Sequence, residues 1–557
     1  MNKFITLIII ISLSYMAIIP ILSAGFFPLH DGAHVARVYE MVQALKDGQF
    51  PVRFVADLGY GYGYPLFNFY APLPYYFASS VYLFGVDVLV ATKIMFLFGI
   101  LFSFISMYLL VRRILHSYLS GLLAGVLYVY APYHAIDIYI RGAVGEYWAM
   151  AFIPLLILGI YNVLTSTTDR KLIQASSIVI FSYSGILLSH NITGMIVTVG
   201  LGIFLLITII HAALLGHSFK KKIILGLILI LSLGICAFFW LPAISELGFT
   251  SISALITGGS IFSDHFVYLD QLWSSPWGFA GSAPGRLDGI SFMVGKIHIV
   301  LSVITVCLFF INRSFRLKYK VLFLFVCTLL FLSIYMATEY SFMVWKLSPI
   351  LAFVQFPWRF LLFTTFCLSF LPAFLFCELK RTIQVLSFLL LSIVIIGYNG
   401  RYFHPKEYIF RDSKAYIQPS VLQWDVSKDS DEYLPVSFKR PKNGDEIRAD
   451  RYVLNSGIAI TDAHRTSNEL NFKAINTTGE DGLLALSYFP GWKVYANAVP
   501  VESKEIEGKI SIPMSNTWTT YRAVFYNTPV RTIANVTSLV SIVVLGGMIY
   551  VYKKAIG

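Results

Sequence analysis

Charge is scarce in this chain: Asp, Glu, Lys and Arg make up 13% of its 557 residues, whereas 57% are hydrophobic. A mean hydropathy of +0.71 exceeds what one soluble core absorbs, so the composition is that of a polytopic membrane protein. Cysteine is scarce too. All five, Cys236, Cys307, Cys327, Cys367 and Cys377, fall in hydrophobic segments, which leaves the polar regions without a disulfide framework or a cysteine zinc site. No P-loop, no glycine-rich dinucleotide turn after a strand and no Gly-x-Ser-x-Gly elbow stands in usable context. Their absence disfavours direct use of nucleotide-linked substrates.

A net charge of +12 raises the question of a nucleic-acid partner, but the cations do not form a patch. They sit between hydrophobic segments at alternate ends: Lys3; Arg112 and Arg113; Arg170 and Lys171; Lys220, Lys221 and Lys222; Arg313, Arg316, Lys318 and Lys320; Lys380 and Arg381; Lys553 and Lys554. Only Asp169 and Glu378 accompany them. This is the positive-inside pattern of cytoplasmic loops, and it argues against nucleic acid.

Placing those loops inside predicts about twelve spans with both termini cytoplasmic, in a cell membrane. They run 4–24, 90–111, 118–132, 147–165, 172–189, 194–213, 222–244, 294–311, 320–337, 357–377, 382–398 and 532–552. The first is long enough to be a retained helix rather than a signal-peptide core. Every inner loop is short, so the working surface faces outward through 25–89, 133–146, 245–293 and 399–531.

The first outer segment has its own order. Val35, Val38, Val42 and Leu45 recur at helical spacing opposite Arg37, Glu40 and Lys46, which predicts an interfacial helix over 31–47. Pro72 to Gly85 is apolar but too short to span. Between them, Gly59-Tyr-Gly-Tyr-Gly-Tyr-Pro65 with Phe67, Phe69 and Tyr70 makes an aromatic loop suited to headgroup level or to stacking on sugar faces. Beyond Tyr398 the composition turns charged and alternating, with strand-like runs Leu483 to Tyr488, Trp492 to Tyr495 and Tyr521 to Tyr526, two of them separated by Pro490-Gly491. The expected division is a helical membrane domain over 1–398, a β-rich outer domain of about 130 residues over 399–531, and a last span with its tail over 532–557.

An acidic residue just outside the first span, two short helices after it and a span ending Tyr108-Leu-Leu-Val-Arg-Arg113 resemble the GT-C class of integral-membrane glycosyltransferases. His30-Asp-Gly-Ala-His34, Tyr64-Pro-Leu-Phe-Asn-Phe-Tyr70, Gln355-Phe-Pro-Trp-Arg359 and Tyr488-Phe-Pro-Gly-Trp-Lys493 are similar to bacterial membrane proteins labelled 6-pyruvoyl-tetrahydropterin synthase-related. The Pro-Gly-Trp region is also similar to YfhO-type membrane proteins. A soluble pterin enzyme would not need so many spans. The GT-C resemblance implies a polyprenyl phosphate sugar as donor, an acceptor outside the cytoplasm and a GT-C-like helical scaffold.

Such a reaction needs a base for the acceptor hydroxyl and fixed positive charge for the departing phosphate. Asp31, the first acidic residue of the chain, stands where the resemblance puts the base. It is equally placed to cap the following helix, worth about 1 kcal/mol. His30 and His34 flank it; they suit hydrogen bonding or orienting Asp31 better than holding a divalent cation, which lacks a third ligand here. No cofactor is expected. The segment 133–146 brings His134, Asp137, Arg141 and Glu146 together. Asp137 and Arg141 are either a helical salt bridge or site residues, and Glu146 either a helix-end charge or a second site acid. Arg359, after Trp358, either snorkels to the interface or grips a lipid-linked phosphate, with Trp358 as headgroup anchor. His190 either caps a helix or meets substrate. Asp264, His265, Asp270, Trp273, Trp277, Arg286 and Asp288 in 245–293 read as a lid or as irregular solvated chain. The rivals to an enzyme are a lipid or oligosaccharide transporter, which interrupted spans would mark, and a membrane assembly factor on the same scaffold.

Overall fold

A computed structural model describes residues 3–252, 262–448 and 452–556. The chain divides into two compact units. The first comprises Met1–Asp31, Lys93–Ser232 and Gly259–Phe410, the second Gly32–Thr92, Leu233–Gly258 and Arg411–Gly557.

Among the described residues nine helices are long and apolar enough to cross a membrane, or up to eleven if two bent pairs each count as one span. The bent pairs are Tyr118–Val129 with Pro132–Arg141, at 46°, and Lys220–Ile235 with Ala237–Ser245, at 70°. Eleven of the expected spans meet one of these elements. The remaining one, 294–311, is the shorter apolar helix Lys296–Ile311. The first bend follows from Pro132, which has no amide to continue the preceding helix.

The first unit is a helix bundle whose innermost span is Pro357–Phe376, 89% of its apolar window buried. Around it pack Tyr118–Val129, Lys296–Ile311 and Arg313–Ala337. Ser117 and Thr168 cap the helices that follow them, accepting from the amides of Ser120 and Lys171. The expected outer loop over 133–146 does not exist as a loop. Pro132–Ile136 runs into a π-helical turn, Asp137–Arg141, and Val144–Thr165 begins almost at once. Burial explains the difference: Tyr133, His134, Asp137 and Ile138 lie at 1% exposure or less, and buried backbone must close its hydrogen bonds within a helix.

The second unit carries the β structure. Its strands are β1 (Ile458–Arg465), β2 (Glu469–Asn476), β3 (Gly482–Ser487), β4 (Trp492–Ala496), β5 (Val499–Val501), β6 (Lys504–Ile506), β7 (Lys509–Ile512) and β8 (Thr519–Phe525). They form two antiparallel sheets, β1-β2-β8-β4-β5 and β3-β7-β6. The three strand-like runs read from the sequence are β3, β4 and β8. Leu470, Phe472, Leu484, Leu486, Ile510, Ile512 and Tyr521 fill the core, together with Phe54 and Phe69 from the first outer segment.

That last feature corrects two expectations. The aromatic loop does not face headgroups or sugars: Tyr60, Tyr62, Tyr64, Phe67 and Phe69 are all buried. Ser487 of β3 donates its amide to the Tyr62 carbonyl at 2.7 Å and its hydroxyl to the Gly63 carbonyl at 2.7 Å. The large apolar rings thus stabilise the sheets instead of stacking on a ligand. Nor does the division fall at 398/399, since the first outer segment and the last span, Pro529–Tyr550, cluster with the β structure. The interfacial helix is present as His34–Lys46. It is largely buried, including Arg37 and Glu40, because it packs on Leu73–Leu83, the helix of the second apolar stretch.

Candidate functional site

The π-helical turn positions the acids. Wider than an α-turn, it is a form found frequently at functional sites, and here it ends at Gly142 with φ +65°. A Cβ on Gly142 would sit 2.9 Å from the Asp31 carbonyl oxygen, so both the backbone angle and the close approach require glycine. The turn's last carbonyls are taken by the incoming chain: the His30 amide donates to Ile140 at 3.0 Å and the Asp31 amide to Arg141 at 2.9 Å. Asp31 is therefore held by its main chain against the turn that carries Asp137 and Arg141. The helix His34–Lys46 has Ala33 at its N-cap.

Around the turn lies a buried cluster of two acids and two arginines. Arg141 pairs with Asp137 through one nitrogen and donates to Glu146 through the other at 2.8 Å. Tyr133 donates to the second Glu146 oxygen at 2.5 Å. Arg359 reaches Glu146 at 4.0 Å and is held by the Val354 carbonyl at 2.6 Å and Gln355 at 3.1 Å. Its side chain is 12% exposed, so it does not snorkel. Trp358 lies under Arg141, ring centroid 4.3 Å from the guanidinium carbon. Asp137 Oδ2, Arg359 Nε and Trp358 Nε1 are buried with no hydrogen-bond partner, although Arg359 Nε is the atom that faces Glu146 at 4.0 Å. Four opposite charges out of water are costly unless mutually paired, and unsatisfied groups among them call for a role.

Of the residues singled out by sequence, the structure brings together Asp137, Arg141, Glu146, Arg359 and Trp358, with the main chain of His30 and Asp31. His190 caps Asn191–Leu214 through Thr193. It lies beside the cluster as well, because a Cβ on Gly145 would meet the Ser189 carbonyl oxygen at 2.5 Å and His190 Cδ2 at 3.5 Å. The His30 ring bonds the Phe279 carbonyl at 3.1 Å. His34 is fully buried in the second unit, where its Nδ1 meets the Tyr75 hydroxyl at 2.9 Å. No group of three or more His, Cys, Asp or Glu suited to a metal ion occurs among the described residues. The segment 245–293, as far as it is described, is tied down by short helices and by Asp288, which accepts from Gln271, Ser282 and the Ala283 amide; 253–261 lie outside the described residues. Tyr133 was missed. It extends the four-residue series Tyr133, Asp137, Arg141, a spacing visible in the sequence.

Residues 67–403 match the model of a family described as 6-pyruvoyl-tetrahydropterin synthase related domain; membrane protein. The chain belongs to this family. The match contains Asp137, Arg141, Glu146 and Arg359 but begins after Asp31. An uncharacterized protein of Lactococcus lactis subsp. cremoris (strain MG1363) is 29% identical over 276 residues, 48% of this chain and 44% of that protein. The chain thus aligns with less than half of that relative's length. The cryo-EM structure of the arabinofuranosyltransferase AftD from Mycobacteria superposes with a TM-score of 0.42 at 14% identity, over 72% of this chain and 27% of AftD. Likeness at that level carries no argument, and family membership alone does not fix chemistry.

Proposed function

We propose that the protein is a GT-C-like membrane glycosyltransferase that moves a sugar from a polyprenyl phosphate carrier to an acceptor outside the cytoplasm, in the cell envelope. The observation that carries the reading is the buried pair of acids and pair of arginines against which the Asp31 main chain is bonded. In this reading Asp31 takes the proton of the acceptor hydroxyl. Asp137 and Glu146 hold Arg141 and Arg359 in place, and the Arg359 guanidinium, whose Nε makes no hydrogen bond, meets the departing phosphate. Guanidinium supplies the positive charge, so no cofactor is invoked. Both termini are cytoplasmic, and the β sheets position the acceptor.

The test is transfer by purified protein from a labelled polyprenyl phosphate sugar, alongside the lipid-linked sugars that accumulate in a deletion strain. Asp31→Asn lowers turnover by about 10² to 10⁴-fold while the protein still accumulates in the membrane, and Arg359→Ala weakens donor binding. Normal turnover in Asp31→Asn removes the reading. A second reading, a lipid or oligosaccharide transporter, draws on the two bent spans, one of which ends in Asp137–Arg141. It requires that the wild type move the labelled donor across liposomes without transferring the sugar.

A further inference from the structure

The helix Val144–Thr165 carries Glu146 near one end and Asn162 near the other, about 24 Å away along the axis. At the Asn162 end lies a cavity of about 490 Å3, lined by Leu109, Arg112, Arg113, His116, Tyr118, Leu158 and Asn162. Its two arginines have only neutral partners. Arg112 donates to the hydroxyls of Tyr108 at 3.1 Å and Tyr118 at 3.0 Å, with its guanidinium carbon 4.1 Å from the Tyr118 ring centroid. Arg113 donates to Asn162 at 2.9 Å. No carboxylate neutralises either one among the described residues. Further cations share this end: Lys221 donates to the carbonyls of Leu164 and Ser166, and Arg381 donates to Gln384, which itself donates to Ser117 beside the cavity. The positive-inside rule makes it the cytoplasmic face.

We propose that this cavity is a binding site for the phosphate headgroup of an anionic phospholipid of the cytoplasmic leaflet. Two adjacent guanidiniums offer the forked donors that phosphate oxygens accept, and Tyr118, His116 and Asn162 ring them with further polar groups. Leu109 and Leu158 give the wall an apolar side for the glycerol and upper acyl chain. Basic pockets between spans on this face are where such headgroups bind. The site is separate from the acid and arginine cluster and does not depend on the proposed transfer reaction.

Native mass spectrometry of the full-length protein tests it, with phosphatidylglycerol and phosphatidylcholine as competing lipids. The wild type retains phosphatidylglycerol in preference to phosphatidylcholine, and Arg112→Gln with Arg113→Gln lowers that preference by about 25-fold. Arg113→Gln alone, at an exposed position, lowers it about 5-fold and serves if the double variant does not fold. Arg170→Gln with Lys171→Gln removes the same charge elsewhere and leaves the preference unchanged. The proposal is overturned if the arginine variants keep the preference, if the Arg170 and Lys171 control loses it equally, or if soluble glycerol 1-phosphate displaces the lipid at equal concentration.

Discussion

Two buried charge clusters, one in each unit, use the same residue types to different ends. In the second unit Glu246 accepts from Asn68 at 2.8 Å and Arg531 at 3.0 Å on one oxygen, and from Thr528 at 2.7 Å on the other. Arg53 adds bonds to Asn68, Asn535 and the Phe238 carbonyl. The cluster joins the first outer segment, a bent span and the last span, and both oxygens of its carboxylate are used. In the first unit Glu146 is equally well bonded, but Asp137 keeps a buried oxygen without a hydrogen-bond partner and sits in a π-helical turn bonded to the Asp31 main chain. A carboxylate with every acceptor filled holds a fold together; one left with a spare oxygen beside a special backbone has capacity for chemistry.

The largest effect that would break this contrast is at Glu246. Glu246→Ala leaves the buried Arg531 guanidinium without its carboxylate and costs about 3 to 5 kcal/mol, read as a fall in melting temperature. Asp137→Asn keeps the acceptor for Arg141, so it costs less stability while transfer falls. If the two variants exchange these behaviours, the assignment of the clusters is reversed.

Gly142→Ala is intermediate. The left-handed angle alone costs about 1 to 2 kcal/mol, and the new Cβ pushes on the Asp31 carbonyl. Melting and transfer therefore fall together, and unchanged transfer in this variant would uncouple Asp31 from the turn.

The smallest effect is at Glu40, 1% exposed. Burial first, and the nearby charge of Asp57 second, push its carboxyl well above the usual carboxylate range. Between that range and the raised native value the folded protein binds more protons than the unfolded chain, so this group lowers stability as pH rises through the window. Glu40→Gln removes that slope. Its melting temperature exceeds the wild type by a few degrees near pH 7.5, and the difference closes as pH falls below the ordinary carboxylate range.

Much of the scaffold was legible because hydropathy and cation placement follow from the bilayer, and strand alternation from the pleat. The residues of the charge cluster were legible for a similar reason: Asp137, Arg141, Glu146 and Arg359 are ionisable groups within or beside apolar spans, where each is expensive. Their convergence was not, since Arg359 and Glu146 are far apart in sequence and meet only through packing. Tyr60, Tyr62 and Tyr64 misled because an aromatic run reads alike whether its rings meet headgroups, sugars or a β core. The segment 133–146 misled for the related reason that polarity in sequence does not report burial.

By itself the sequence determined a helical membrane protein with a β-rich region and a short roster of intramembrane charges, because those features are local or periodic. Only the tertiary structure decided that the 133–146 segment holds a buried π-turn and that the Asp31 main chain is bonded to it. It also decided that the first outer segment belongs with the sheets. Each of these rests on contacts between residues distant in the chain, which no local pattern encodes.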